Sequence, residues 1–92
     1  MNTRLLEDIG LSKGETKVYL ALLKMGATKT GPLAARAEVS SSKVYKILDR
    51  LIKKGLVGHI TRGKVKHFTA MPPKRVIEYM EQKETELKRK KE

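Results

Sequence analysis

The run Ser40-Ser41-Ser42-Lys43-Val44-Tyr45-Lys46-Ile47-Leu48-Asp49-Arg50-Leu51-Ile52-Lys53-Lys54-Gly55 constrains the fold most. Val44, Ile47, Leu48, Leu51 and Ile52 recur at i, i+3, i+4, i+7 and i+8, which puts them on one stripe of a helix. Both ends of that helix are marked. Ser40 or Ser41 can cap the first turn by accepting a hydrogen bond from a free backbone N–H. Gly55 can take the left-handed conformation that closes the last turn, after Lys53 and Lys54, whose charge suits the negative end. The other face carries Ser42, Lys43, Tyr45, Lys46, Asp49, Arg50 and Lys53. Four cations with one anion are in themselves an ordinary solvated surface; the flanking segments give them meaning.

Upstream, Leu5, Leu6 and Ile9 predict a short leading helix that stops at Gly10. Ser12-Lys13-Gly14-Glu15 is a capping box, Ser at the cap and Glu three residues on. The helix it opens has Val18, Leu22 and Met25 on one stripe, Ala21 and Leu23 beside it, Tyr19 in the core, and Gly26 at its end. Almost no cationic face is expected on it, so its task is core packing. Ala27-Thr28-Lys29-Thr30 reads as a short polar connection. Thr30 can cap the next helix, with Pro32 in the first turn, where a missing N–H does no harm. Leu33, Ala34 and Ala37 are its inner residues, small enough for close crossing. Glu38-Val39 is a tight turn. A short helix, a tight turn and a longer basic helix make a helix-turn-helix.

Downstream the period changes from helix to strand. Leu56–Thr61 and Val65–Ala70 are alternating or β-branched runs joined by Arg62-Gly63-Lys64, a hairpin whose Gly63 supplies positive φ. Phe68 is expected to face the core with Ile60, and His59 and His67 to pair across the hairpin. A hairpin directly after such a helix is a wing. Met71-Pro72-Pro73 stops the strand, and Pro73 can open a last helix. That helix carries Ile77, Met80 and Leu87 as a thin heptad-like seam, with Val76 and Tyr79 widening its first half and Glu84 interrupting it. Lys88-Arg89-Lys90-Lys91-Glu92 is a charged end expected to fray.

Charge is concentrated. The 92 residues carry a formal net charge of +11. Residues 27–72 hold 10 basic and 2 acidic side chains, which is +8 of that excess. An anionic partner is therefore favoured, nucleic acid before a membrane surface. No helix combines a cationic face with bulky exposed aromatics, as interfacial membrane helices do. No apolar run approaches the ~20 residues that span a bilayer. Acids at Glu7 and Asp8 stand where a secretory signal would be apolar, so a cytoplasmic, nucleoid-associated protein is expected. The sequence contains no cysteine, which excludes disulfides and thiolate metal sites. His59 and His67 lack a third ligand, so no metal is expected. No nucleophile–His–acid spacing and no phosphate loop occur, so neither catalysis nor a cofactor is expected.

The chain resembles the N-terminal DNA-binding domain of the TrmB-like transcriptional regulators, which are mainly archaeal. Three stretches carry the likeness: Ile9-Gly10-Leu11-Ser12-Lys13-Gly14-Glu15-Thr16-Lys17-Val18-Tyr19; Ser42-Lys43-Val44-Tyr45-Lys46-Ile47-Leu48 through Lys54-Gly55-Leu56-Val57; and Gly63-Lys64 through Phe68-Thr69-Ala70 to Pro72-Pro73. The Ser-Lys-Val-Tyr segment is the most specific; the Lys-Gly-Leu-Val ending is common to many winged helices. The resemblance implies a mainly α, α+β fold: a winged helix-turn-helix over residues 1–72, then a C-terminal helix over 73–92. It implies binding to double-stranded DNA, usually as a dimer, and regulation of transcription. Members often carry a C-terminal effector domain, in some cases for sugars; no segment here is long enough for one. The turn Val39-Ser40-Ser41-Ser42 also departs from relatives, which often show Pro and a larger polar residue there.

On this reading the helix over about 41–54 enters the major groove, with Ser41, Ser42, Lys43, Tyr45 and Lys46 near base edges. Arg50 and Lys53 meet phosphate. On the wing over 57–69, Arg62 and Lys64 meet the adjacent backbone or minor groove. Lys29 and Thr30 start a helix whose N–H groups can hold a phosphate. Tyr45 has an alternative place under the wing as a core residue. Val76, Ile77, Met80 and Leu87 are the candidate homodimer interface, the alternative being a last helix folded back on its own domain. Two other functions fit the fold: a sequence-neutral chromatin protein, and a winged-helix protein-interaction module. The second requires an exposed apolar patch where this chain is basic.

Overall fold

The computed structural model describes residues 3–91. The elements run α1 (Thr3–Asp8), α2 (Lys13–Met25), α3 (Thr30–Ala37), α4 (Ser41–Lys53), β1 (Val57–Arg62), β2 (Val65–Ala70) and α5 (Pro73–Lys91). This is the expected α+β architecture: a helix-turn-helix, a hairpin wing and a trailing helix. The helix boundaries follow local chemistry. Ser12 and Glu15 form the full capping box of α2. Glu38 turns the chain after α3 with φ 57°, a left-handed conformation rare for a residue with a side chain. Gly55 closes α4 with φ 77°. α5 continues through Lys91, past the start of the charge run expected to fray; Glu92 lies outside the described residues.

Two expected caps differ. Lys29, not Thr30, occupies the N-cap of α3, and no side chain caps that helix. Ser40 stands at the N-cap of α4, but its hydroxyl lies 3.2 Å from that of Ser42 instead of bonding a backbone N–H.

One core joins every helix to the wing. Leu6, Leu11, Val18, Tyr19, Leu22, Leu33, Val44, Leu48, Leu51, Leu56, Phe68 and Val76 are all buried in it. Leu23, expected beside the α2 stripe, stays at the surface. α2 is the central helix, packed on α3 and α4. Its first turn presses closely on α4: a Cβ on Gly14 would lie 2.9 Å from Ile47 Cδ1. One residue on, buried Glu15 forms an ion pair with Lys54, at the far end of α4. The capping carboxylate of α2 thus also ties down the last turn of α4.

The hairpin is antiparallel, with Val57 opposite Ala70, His59 opposite Phe68, Ile60 opposite His67 and Arg62 opposite Val65. This corrects two expectations. His59 and His67 lie one register step apart and on opposite faces, so they do not pair. Ile60 alternates with Phe68 instead of joining it: Phe68 is buried and Ile60 is exposed. His59 is the true neighbour of Phe68, their ring centroids 6.1 Å apart. On its other edge Phe68 pairs with Thr28, with N–H···O distances of 3.0 and 2.8 Å. The connection before α3 is therefore a third, one-residue strand. The strand exit is held as well. The Tyr19 hydroxyl donates to the Met71 carbonyl at 2.9 Å, and burial pushes the Tyr19 phenol above its usual pKa.

Glu15→Gln keeps the shape and the cap but removes the charge opposite Lys54. The Lys54 side chain retains 24% exposure, so the loss should fall below the ~3–5 kcal/mol of a fully buried pair. About 1–2 kcal/mol is expected, read from the urea midpoint. A change under about 0.5 kcal/mol, as for an ordinary surface site, would show that the pair does not hold α4.

Candidate nucleic-acid interface

α4 turns its stripe of Val44, Ile47, Leu48 and Leu51 inward. The rest of its surface, Ser41, Ser42, Lys43, Tyr45, Lys46, Asp49, Arg50 and Lys53, is exposed. At about 100° per residue, Ser42, Asp49, Lys53 and Lys46 occupy the middle of that exposed arc. Ser41 and Tyr45 lie on one flank, Lys43 and Arg50 on the other. Lys53 sits 3.1 Å from Asp49, so its charge is partly offset within its own helix.

A cleft opens along each flank. On the wing side, Lys29, Thr30, Tyr45, Lys64, Val65, Lys66 and Phe68 line one space. The Thr28–Phe68 bridge makes this possible, because it lays the start of α3 against β2. Tyr45 is 61% exposed, and its hydroxyl lies 3.2 Å from that of Thr30. It stands in the cleft and is not a core residue under the wing. Arg62 is exposed on the wing but alternates to the strand face opposite Lys66 and Phe68, and it does not line this cleft. Lys66 lines the cleft instead; its basic hairpin context was its only signal in the sequence.

On the opposite flank, Lys43, Lys46 and Arg50 share a cleft of about 550 Å³ with Lys13, Lys17, Glu38 and Ser40. Lys13 and Lys17 were not expected at any site. α2 reads as a core helix by its apolar residues, and only the close Gly14–Ile47 approach brings its first turns beside α4.

The cations lining both clefts are unpaired. Ion pairs among the described residues include Lys53–Asp49, Lys54–Glu15, Arg75–Glu78 and Lys83–Glu86. None involves Lys13, Lys17, Lys29, Lys43, Lys46, Arg50, Lys64 or Lys66. All three helices begin at the clefts; α2 has a complete capping box, while α3 and α4 have no side-chain cap. Uncapped first turns leave backbone N–H donors for an anion. Among the described residues no group of three or more His, Cys, Asp or Glu could hold a metal ion, and no helix is long and apolar enough to cross a membrane.

On α5, the four candidate interface residues separate. Val76 is buried in the chain's own core, which removes it from any surface open to a partner. Its burial and the packing of Tyr79 on the core fix the first half of α5 to the domain. Ile77 and Leu87 are 53% and 60% exposed. Met80 and Leu87 line a groove with Ile9 and Gly10 at the end of α1.

Comparison with known proteins gives the chain its relatives. The profile of the family described as "Sugar-specific transcriptional regulator TrmB" matches residues 6–74. The HTH-type sugar sensing transcriptional regulator TrmBL1 of Pyrococcus furiosus is 32% identical over 73 residues, covering 79% of this chain and 21% of that protein. The structure of TrmBL2, described as an archaeal chromatin protein with a novel mode of DNA binding, superposes with TM-score 0.81 and 27% identity, over 97% of this chain and 34% of that one. The ST1889 protein of Sulfolobus tokodaii shares the fold end to end, 100% of each chain, with TM-score 0.79 and 15% identity. The chain thus spans only 21% of TrmBL1 and 34% of TrmBL2.

The exposure of Tyr45 gives a stability test. Tyr45→Ala should change unfolding free energy by at most about 1 kcal/mol, whereas Phe68→Ala should cost about 3–5 kcal/mol. Parallel chemical denaturation of the two variants decides it. Equal losses would return Tyr45 to the core.

Proposed function

Because the chain belongs to the TrmB family of transcriptional regulators, which matches it over residues 6–74, we propose that it binds duplex DNA and regulates transcription in a sequence-specific manner as a homodimer. The observation that carries this reading is the exposed face of α4, with unpaired cations on it and a basic cleft on each side. α4 is about 20 Å long at 1.5 Å per residue. A helix of that size fits the major groove, which is about 12 Å wide. Ser42 and Lys46 then face base edges, with Ser41 and Tyr45 toward the wing. Lys29, Thr30, Lys64 and Arg62 meet the backbone on that side, and Arg50 and Lys53 meet phosphate along the helix.

Dimerisation uses exposed Ile77 and Leu87 and half-buried Met80 of α5, with Val76 removed from the set. Supporting this is the groove that Met80 and Leu87 form with Ile9, rimmed by Asp8, Lys83, Glu84 and Glu86, and the exposure of Leu5 nearby in the sequence. Two recognition helices would then sit about 34 Å apart on one face of the DNA, on a palindromic site. A second reading is favoured by the likeness to TrmBL2, a chromatin protein: binding with little sequence preference, carried by phosphate contacts alone.

Specificity separates the two. Lys46→Ala and Ser42→Ala should each cost about 1–3 kcal/mol on the best site and less on a scrambled duplex, measured by competition binding. Equal losses on both duplexes would make these phosphate contacts and favour the chromatin reading.

Assembly has its own test. Met80→Glu places a charge in the proposed interface without touching the core or the basic face. Sedimentation should show the intact chain dimeric at tens of micromolar and the variant shifted to monomer. A variant that stays fully dimeric, or an intact chain that is monomeric, removes α5 as the interface.

A further inference from the structure

We infer that α2 supplies a second phosphate-holding wall: Lys13 and Lys17, together with Lys43 and Arg50 of α4, grip the DNA backbone on the side of the major groove opposite the wing. This rests on the DNA-binding reading and changes its geometry. The protein then holds both walls of one groove, and Lys43 passes from base reading to phosphate.

Four observations carry it. Lys13 and Lys17 are one helical turn apart, so they share a face of α2. That face lines one cleft with Lys43, Lys46 and Arg50. The approach is built in, since Gly14 lies between the two lysines and has no side chain to hold Ile47 away. No described carboxylate forms an ion pair with any of the five cations; Glu38 is the single acid in the lining. Packing does not use the two lysine side chains, which are exposed, because α2 packs through Glu15, Thr16, Val18, Tyr19, Ala21 and Leu22. Like charges gathered on neighbouring turns repel one another, and a polyanion along the cleft reverses the sign of that term.

The shape matches a duplex. The wing cleft and the α2 cleft lie on opposite flanks of α4, each about 550 Å³ in volume. Phosphate strands border the major groove on both sides, so a helix in the groove with a basic cleft on each flank meets one strand per cleft. The centre of the arc, Ser42 with Lys46, is left for bases, and Lys46 reaches the α2 cleft from its edge.

The test uses the intact chain in four forms besides wild type: Lys13→Ala with Lys17→Ala; Lys64→Ala with Lys66→Ala; Lys74→Ala with Lys88→Ala as a charge-matched control on α5; and Glu38→Gln. Affinity for best-site and scrambled duplexes is measured against salt. The α2 pair should flatten the log–log salt slope by about 0.9 for each phosphate no longer neutralised, to the same extent as the wing pair and equally on both duplexes. The α5 control should change it little. Glu38→Gln removes a charge facing the DNA and should raise affinity several-fold on every sequence, an effect that misfolding cannot mimic. An unchanged slope in the α2 pair beside a flattened one in the wing pair would overturn the inference, as would an α5 control that flattens it as much. Failure of wild type to bind either duplex at low salt would instead overturn the DNA reading beneath it.

Discussion

The contact of the first turn of α2 with the middle and the C-terminal end of α4 sets the geometry of everything outside it. Three residues in succession make it. Lys13 stays outside, Gly14 admits Ile47, and Glu15 holds Lys54. Dispersion and burial would be satisfied by many crossing angles between two apolar stripes. A buried carboxylate with one ammonium partner is far less tolerant, because separating them strands a charge in a poor solvent. Glu15 also closes the capping box with Ser12, so the same side chain starts one helix and fixes the end of another. Lys54 precedes Gly55 and β1 directly. The wing therefore leaves α4 from a point that is pinned to α2.

The wing is positioned a second time at its far end. Thr28 takes both backbone groups of Phe68, the Tyr19 hydroxyl takes the carbonyl of Met71, and Met71 N–H donates to Leu56. A free two-stranded hairpin is marginal in water. Here β2 is paired on both edges at its one buried side chain, so the wing is held by the same core that α4 lies on. Lys29 and Thr30 then face Lys64 and Lys66 across a cleft whose two sides are joined through one residue pair.

The helices, the turn between α3 and α4, and the hairpin were legible because each has a local period and local punctuation. The stripe from Val44 to Ile52, the Ser12–Glu15 box and the positive φ at Gly55 and Gly63 need no knowledge of the rest of the chain. What was missed depends on pairs distant in sequence. The Thr28 bridge joins residues that no short window contains. A single register step placed Ile60 outward and kept His59 from His67, since strand faces alternate with every residue. Thr30 reads as a better cap than Lys29 by residue type, yet its hydroxyl is engaged by Tyr45 from another helix. Lys13 and Lys17 looked like the solvated face of a core helix, because their company is set by tertiary crossing. Val76 looked like part of an exposed seam, because heptad spacing does not say which neighbour a side chain meets.

The distribution of paired and unpaired charge follows the same division. On α5, Arg75 and Lys83 each lie 3.4 Å from a glutamate three residues on. Such pairs on an exposed helix add little stability but cancel charge locally. In the two clefts beside α4 the cations have no ion-pair partner, although acids at those positions would relieve their mutual repulsion. A face that keeps this repulsion in the free protein holds an electrostatic cost that a polyanion removes on contact. Field strength also grows where low-dielectric walls flank the charges, and the two clefts supply such walls on each side of the helix. Arg75 and Lys83 are thus offset by acids of their own helix. The cations that line the two clefts are brought together by the fold, and what they would hold is determined by the packing of α2, α3, α4 and β2.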